Sequence, residues 1–442
     1  MKFKMTQIQE KINANGGLTL IGKLLERCEF KNLFKKIITG KGTPVISSSD
    51  ILMSYLGLLS MGKTSYESIS MFRKNKLFRK SLGISRIASP ETIRQRLDTI
   101  ATDIDIRDLI NKTNFNLLKH ETFGMIKTQY KDYIPLDVDV SPLDNSRTKK
   151  EHSSRTYKDH DGFAPIFAYI GTEGHMLNCE LRPGKQHCQL GTPEFLNECI
   201  ELTDSLGVTD EILLRLDSGN DASDNFNVIH SSFKYIIKRN LRRECPEQWL
   251  ALAKRVGEAT EVRDGKIRYL GMTSHRTPGN KDDLPRVEVA FEVIERTIDS
   301  KGNPLLLPKL EVNTYWTNLP DDAESIIELY HNHGKSEQFH SELKTDMDVE
   351  RLPSESFATN ELVLRLAMIS FNALKTIAID VVTFKELAPI KMNIKRRRIK
   401  SILQDIIYSA CKYVISGGYH RVKFGCDCTW YPVISKLYEA YA

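Results

Sequence analysis

From Asp132 onward the chain follows an order of elements that few folds can accommodate. Tyr133–Val140, Phe163–Gly171 and Met176–Arg182 read as strands, rich in β-branched and aromatic residues and joined by short Gly-containing links that suit hairpins. Glu211–Leu216 and Phe233–Lys238 read as two more strands. Each follows a helix: Pro193–Ser205 behind a Thr192 cap, then Ala222–His230. A strand reached through a helix must cross over and lie parallel to its neighbour. The pattern β-β-β-α-β-α-β therefore predicts a mixed sheet in an α/β fold.

Residues 240–319 interrupt this order with segments that alternate apolar and polar, as an inserted antiparallel sheet would. Pro320–Arg351 then reads as one long helix and Glu355–Asp380 as a second, strongly apolar one. The first 130 residues read as helices, among them Ser89-Pro90-Glu91-Thr92, a capping Ser followed by Pro at the first helical position. The tail reads as a basic helix and a hairpin about Gly417-Gly418. Four parts are expected: a helical domain (1–130), an α/β core (131–239 and 320–385), a β-rich insertion (240–319) and a basic C-terminal region (386–442).

Charge follows the same division. Residues 1–130 hold 22 basic and 11 acidic side chains, and residues 387–442 hold 10 and 3. The stretch between them holds 31 and 43. Basic ends suit a polyanion and an acidic centre suits cations. Arg94 and Arg96, on the helix after Ser89, and the run Lys395-Arg396-Arg397-Arg398 are the candidate phosphate contacts. The longest nearly apolar run, Ile51–Met61, is far short of the ~20 residues of a membrane span. No membrane partner is expected. The eight cysteines are scattered and the first residues form no secretory signal, so a reducing, cytoplasmic location is expected.

Three acids combine into a sharper statement. Asp137 and Asp139 are two apart in the first strand and share one face, while Leu136, Val138 and Val140 face a core. Asp217 ends the fourth strand, where open α/β sheets place their sites. In a sheet of order 3-2-1-4-5 the first and fourth strands are neighbours, so these acids can meet. A late helix carrying Tyr330, His333, Glu337 and Lys344 on one stripe can add a third. Converging carboxylates need cations to stay ionised. Two Mg²⁺ ions (Mn²⁺ is an acceptable substitute) would serve, clamping both oxygens of an in-line phosphoryl transfer.

At these residues the chain resembles bacterial insertion-sequence transposases of the DDE group, which have a ribonuclease-H-like core. The resemblance is carried by LDVDVSPLD around Asp139, LLRLDSGN around Asp217, and YHNHGKSEQFHSELK from Tyr330 to Lys344. The last matches the family's Tyr-x2-Arg-x3-Glu-x6-Lys spacing, with His333 in place of the arginine. Asp139, Asp217 and Glu337 stand 78 and 120 residues apart, leaving room for an insertion before the glutamate. The resemblance implies an Mg²⁺-dependent enzyme that cuts at its element's terminal inverted repeats and joins the ends to target DNA, working as a homodimer on DNA. It makes Asp139, Asp217 and Glu337 the metal ligands, with Asp137 the rival for the first, and gives Tyr330, His333 and Lys344 to DNA. A histidine cannot reproduce a guanidinium fork on phosphate. The alternatives are a ribonuclease-H-like nuclease without strand transfer and a non-catalytic DNA-binding descendant. A zinc protein using His152, His160, His175, Cys179, His187 and Cys188 is a more distant one.

Overall fold

The computed structural model describes residues 1–7, 9–37, 45–277, 286–299, 301–390 and 393–442. Helices α1 (Leu18–Arg27), α2 (Ser48–Leu59), α3 (Pro90–Ile100) and α4 (Ile106–Leu118) come first. Strands β1 (Asp132–Val140), β2 (Ile166–Ile170) and β3 (His175–Glu180) follow. Next come α5 (Thr192–Ser205), β4 (Ile212–Leu216), α6 (Ser223–Ile229), β5 (Lys234–Lys238) and α7 (Pro246–Val256). The insertion strands are β6 (Glu258–Arg263), β7 (Lys266–Arg276), β8 (Arg286–Ile298) and β9 (Pro304–Thr317). The last elements are α8 (Ala323–His331), α9 (Ser336–Ser341), α10 (Phe357–Thr383), β10 (Cys411–Ser416), β11 (Tyr419–Phe424) and α11 (Tyr431–Ala440).

The five strands read from the sequence pair in the order β3-β2-β1-β4-β5. β1 runs parallel to β4 and antiparallel to β2, and β4 runs parallel to β5. The fold is thus a mixed α/β sheet. Its insertion is not a separate sheet. Lys238 at the end of β5 pairs antiparallel with Tyr315 of β9, and β8, β7 and β6 continue outward from there. Extending an existing sheet covers the edge that β5 would otherwise expose. The opposite edge, β3, is covered by a side chain. Asn372 of α10 accepts from the Met176 N–H (2.8 Å) and donates to its carbonyl (2.8 Å), as a neighbouring strand would.

The core alternates as period two requires. Leu136, Val138 and Val140 join Leu214, Leu216, Phe195 and Cys199 in one cluster beneath α5. On the other side, helices α1 to α4, the segment Ile399–Ile407 and α11 share a single apolar cluster around α10. The two basic ends, expected as separate regions, therefore pack as one helical body. By length and composition alone α10 could cross a membrane, but almost all of its apolar stretch is buried against protein.

Local differences have local causes. The expected helix from Pro320 to Arg351 is broken into α8, a 3₁₀ turn (Asn332–Lys335) containing Gly334, α9 and a π-turn (Glu342–Asp346). The widened turn holds Glu342, wholly buried, against Lys375 and Arg396. Thr192 is the first residue of α5 rather than its cap. Gly191 caps it at φ 77°, and the Thr192 hydroxyl donates to the Cys188 carbonyl at 2.6 Å. The basic run Lys395–Arg398 is not helical: Arg396 and Arg398 reach Glu342 and Asp346 at the two ends of the π-turn, while Arg397 reaches Asp405. The hairpin β10–β11 turns at Gly417 and Gly418, both at positive φ, as a primed turn demands.

Between β3 and α10 lies a polar pair whose charged forms burial disfavours. His175 is fully buried, which pushes its imidazole down to about 3. Glu121, whose carboxylate oxygen is 3.7 Å from the His175 ring nitrogen, is pushed up to about 7 by burial. A carboxyl with a raised folded pKa contributes stability below its unfolded value, and loses it as pH climbs through the folded one. Glu121→Gln removes that loss. Chemical denaturation of the two proteins should show the variant gaining roughly 2–3 kcal/mol relative to wild type between about pH 5 and pH 8. A constant difference across that range would show that Glu121 is ionised in the folded protein.

Candidate active site

Parallel pairing of β1 with β4 sets the site residue by residue. Asp137 lies opposite Arg215 and Val138 opposite Leu216, so the next step places Asp139 beside Asp217. Arg215 grips Asp137 with both arms of its guanidinium: Nε to Oδ1 at 2.6 Å and Nη2 to Oδ2 at 2.8 Å. His333 Nδ1 adds a contact to Oδ1 at 2.9 Å. Burial pushes the Asp137 carboxyl up, but the charges and hydrogen bonds of Arg215 and His333 outweigh it and hold the group below its ordinary range. Burial likewise works against a charged His333, yet Asp137 raises the imidazole above its usual value.

Two residues along the ladder the balance reverses. Asp217 is raised, first by burial and then by the charge of Asp139. The Asn220 amide donates to it at 2.7 Å. For Asp139, burial is outweighed by His340, whose Nε2 stands 3.4 Å from Oδ2, and the carboxyl is lowered. Two carboxylates thus face each other at the carboxyl end of a parallel strand pair, with no arginine or lysine bonded to either among the described residues. Hard oxygen donors in a repelling pair fit a divalent cation.

The stripe over these acids is the one the sequence predicts, with one more member. Tyr330, His333, Glu337, His340 and Lys344 follow at steps of three and four. Tyr330 packs on Tyr315 and His333, with ring centroids 4.8 and 5.8 Å apart. Its hydroxyl is raised by burial and then by the charge of Asp217. Lys344 is lowered by burial and donates to the Pro142 carbonyl. Glu337 is exposed, and among the described residues no three His, Cys, Asp or Glu side chains are grouped closely enough to hold a metal ion. The structure brings Asp139 and Asp217 together and leaves Glu337 outside the pair. The same finding removes support from a zinc site at His152, His160, His175, Cys179, His187 and Cys188.

The family model described as "Transposase DDE domain group 1" matches residues 4–438. The chain is a DDE transposase. No curated protein matches it in sequence. Among solved structures it is similar to one described as a piggyBac transposase synaptic complex with hairpin DNA, determined by cryo-electron microscopy. The two are 12% identical with a TM-score of 0.44, over 89% of this chain and 80% of that one. As a DDE transposase the protein is an enzyme that cuts and joins DNA, and members of the group use divalent metal ions.

The transposase places its other predicted residues less simply. Arg94 lies in its own helix's acidic surroundings, 2.6 Å from Glu91 and 3.6 Å from Asp98. Arg96 donates to the Ile46 carbonyl at 2.9 Å and the Ser48 hydroxyl at 3.0 Å. Arg396 binds Glu342, Arg397 binds Asp405 and Arg398 binds Asp346, while Lys395 is exposed. His333 turns inward to Asp137 instead of outward like a phosphate-binding arginine.

Arg215, His340 and Tyr157 were not singled out by the sequence. Extending the heptad stripe one step past Glu337 finds His340. Arg215 shares its strand face with Asp217 and could be found by the same period-two argument that pairs the aspartates. Tyr157, whose hydroxyl donates to the Val140 carbonyl at 2.9 Å and feels the charges of both Asp139 and Asp217, comes from a loop and carries no local signal.

The Asp137–Arg215–His333 network makes a direct prediction. Asp137→Ala leaves a buried guanidinium unpaired and should cost about 3–5 kcal/mol of stability. Urea unfolding of the variant at neutral pH measures it; a loss below about 1 kcal/mol would show that water replaces the carboxylate.

Proposed function

We propose that this transposase mobilises an insertion sequence: it cleaves DNA at the element's terminal inverted repeats and transfers the freed 3′-hydroxyl to target DNA. The reading rests above all on the Asp139–Asp217 pair, two carboxylates set face to face by adjacent parallel strands. Asp139, Asp217 and Glu337 would hold two Mg²⁺ ions, or Mn²⁺, within a ribonuclease-H-like core formed by residues 131–239 and 320–385. Bound there, such ions would supply Lewis acidity and neutralise charge developing at phosphorus.

The chain's own residues do the rest. Asp137, locked by Arg215 and His333, fixes the strand carrying Asp139 and the segment carrying Glu337 to each other. Arg215 also donates to the Leu329 carbonyl at 2.8 Å, tying α8 to β4. Glu337 stands on the stripe between His333 and His340 and is exposed, so joining the aspartates would require α9 to turn over the sheet. Tyr330 and Lys344 flank them and would orient the scissile phosphate. In the first reaction a water oxygen attacks phosphorus and the 3′-oxygen leaves with a proton. In the second that 3′-hydroxyl attacks a target phosphodiester and displaces the target's own 3′-oxygen. Pairing two element ends calls for a homodimer on DNA, in the cytoplasm of a bacterial cell.

A second reading, a DNA-binding descendant without catalysis, is favoured by the exposed position of Glu337. Nicking of element-end DNA with Mg²⁺ separates the two. Asp217→Ala should bind the ends as wild type does and lose cleavage by at least about a thousandfold, the scale of a directly catalytic group. Cleavage by that variant would end the assignment. Supplying pre-cleaved ends then distinguishes a strand transferase, which joins them, from a nuclease, which does not.

A further inference from the structure

Between β1 and β2 the chain forms a small hairpin rooted just past the end of β1. Leu143 and Asp144 pair antiparallel with Phe163 and Gly162, and Ser154 and Arg155 pair on the other side with Gly162 and Asp161. The hairpin turns through Tyr157, Lys158 and Asp159. The Asp159 N–H donates to the Thr156 carbonyl at 3.1 Å, and the Thr156 N–H donates to the His160 carbonyl at 2.9 Å. Asp159 closes the turn at φ 61°, the left-handed residue that a three-residue hairpin connection calls for and that aspartate tolerates. Arg155 braces it from the strand, 3.6 Å from the Asp159 carboxylate. A loop held on such a scaffold presents its side chains in a fixed place.

That place is the aspartate pair. The Tyr157 hydroxyl donates to the carbonyl of Val140, the residue after Asp139, at 2.9 Å. Burial raises the hydroxyl first, and the charges of Asp139 and Asp217 raise it further. Its hydrogen bond is made, yet the side chain is 64% exposed, whereas Tyr133, Tyr169 and Tyr315 bury theirs. The polar end is anchored and the aromatic ring is left to water beside two carboxylates. Lys158 next to it is exposed and has no ion-pair partner among the described residues. Its charge works with burial to lower Lys344, so it stands on the same side of the site. One free aromatic face with one free cation is how proteins hold an unpaired stretch of nucleic acid, the ring taking a base and the cation its backbone. A base inside an intact duplex has both faces covered by its neighbours. The base that ends a cleaved strand has one face open, and that strand end carries the 3′-hydroxyl.

We propose that the Tyr157 ring stacks on the terminal base of the cleaved strand and so holds its 3′-hydroxyl at the Asp139–Asp217 centre for joining. The proposal rests on the reading of that centre given above and adds to it a substrate contact from a loop outside its strands and its covering helix.

The test uses the full chain and a pre-cleaved element-end duplex whose 3′-terminal base is 2-aminopurine, a fluorophore quenched by stacking. With no target DNA present, wild type should quench it on binding. Tyr157→Phe, which keeps the ring, should quench it too, and Tyr157→Ala should not. With target DNA added, Tyr157→Ala should join pre-cleaved ends about tenfold more slowly than wild type, the scale of one lost base–aromatic stack. Its nicking of uncleaved ends should fall less than its joining, because the intact duplex offers no open base face. Tyr157→Phe should recover most of the joining.

Equal quenching by wild type and a folded Tyr157→Ala overturns the stacking and leaves the transposase reading standing. A loss of joining shared equally by the Phe and Ala variants also overturns it, since the hydroxyl's bond to Val140 would then be what matters. Should Tyr157→Ala melt well below wild type, Tyr157→Leu, which keeps apolar bulk without an aromatic face, gives the same comparison. Cleavage by Asp217→Ala would instead overturn the reading of the centre, and this proposal with it.

Discussion

Everything at the centre of this protein depends on one buried ion network on a two-strand ladder. Asp137 meets Arg215 across the parallel pair, and His333 closes on the same carboxylate from the covering helix. A desolvated carboxylate is tolerated only when its partners are complete. Here the partners are spread over β1, β4 and the turn after α8, so the network fixes three elements at once. Two residues further along, the same ladder presents two carboxylates with no arginine or lysine bonded to either among the described residues. Compensated and uncompensated acids stand side by side. Strand register sets Asp137 against Arg215 and leaves Asp139 beside Asp217.

The helical body supports that centre through α10. Its apolar surface gathers the first helices and the last one into a single cluster, while Asn372 closes the edge of β3 and Lys375 holds the π-turn at Glu342. The turn lies only five residues beyond Glu337. Arg398 binds Asp346 at the far end of the same turn. The segment carrying Glu337 is thus tied at both ends, inward to Asp137 through His333 and outward to the basic run through Glu342 and Asp346. Its geometry is set by ion pairs that a polyanion would contest.

The basic residues behave differently from a solvated, DNA-ready surface. Arg94, Arg396, Arg397 and Arg398 each hold a carboxylate of the same chain. An arginine in a neutralised pair contributes less to the far field than its count in the sequence suggests. Lys395, exposed, has no such partner among the described residues.

Much of this was written in the linear chain. Period-two alternation placed Asp137 and Asp139 on one face and Val138 on the other; crossover rules ordered the strands; the steps of three and four aligned Tyr330, His333 and Glu337. These follow from local geometry, which a sequence contains in full. The breaks in the long helix, the continuation of the sheet into the insertion, the inward turn of His333 and the pairing of the arginines were decided by tertiary structure. Most of these depend on a partner tens or hundreds of residues away, as Glu342 depends on Lys375 and Arg396, and the energy of a buried charge is set by who stands next to it in space.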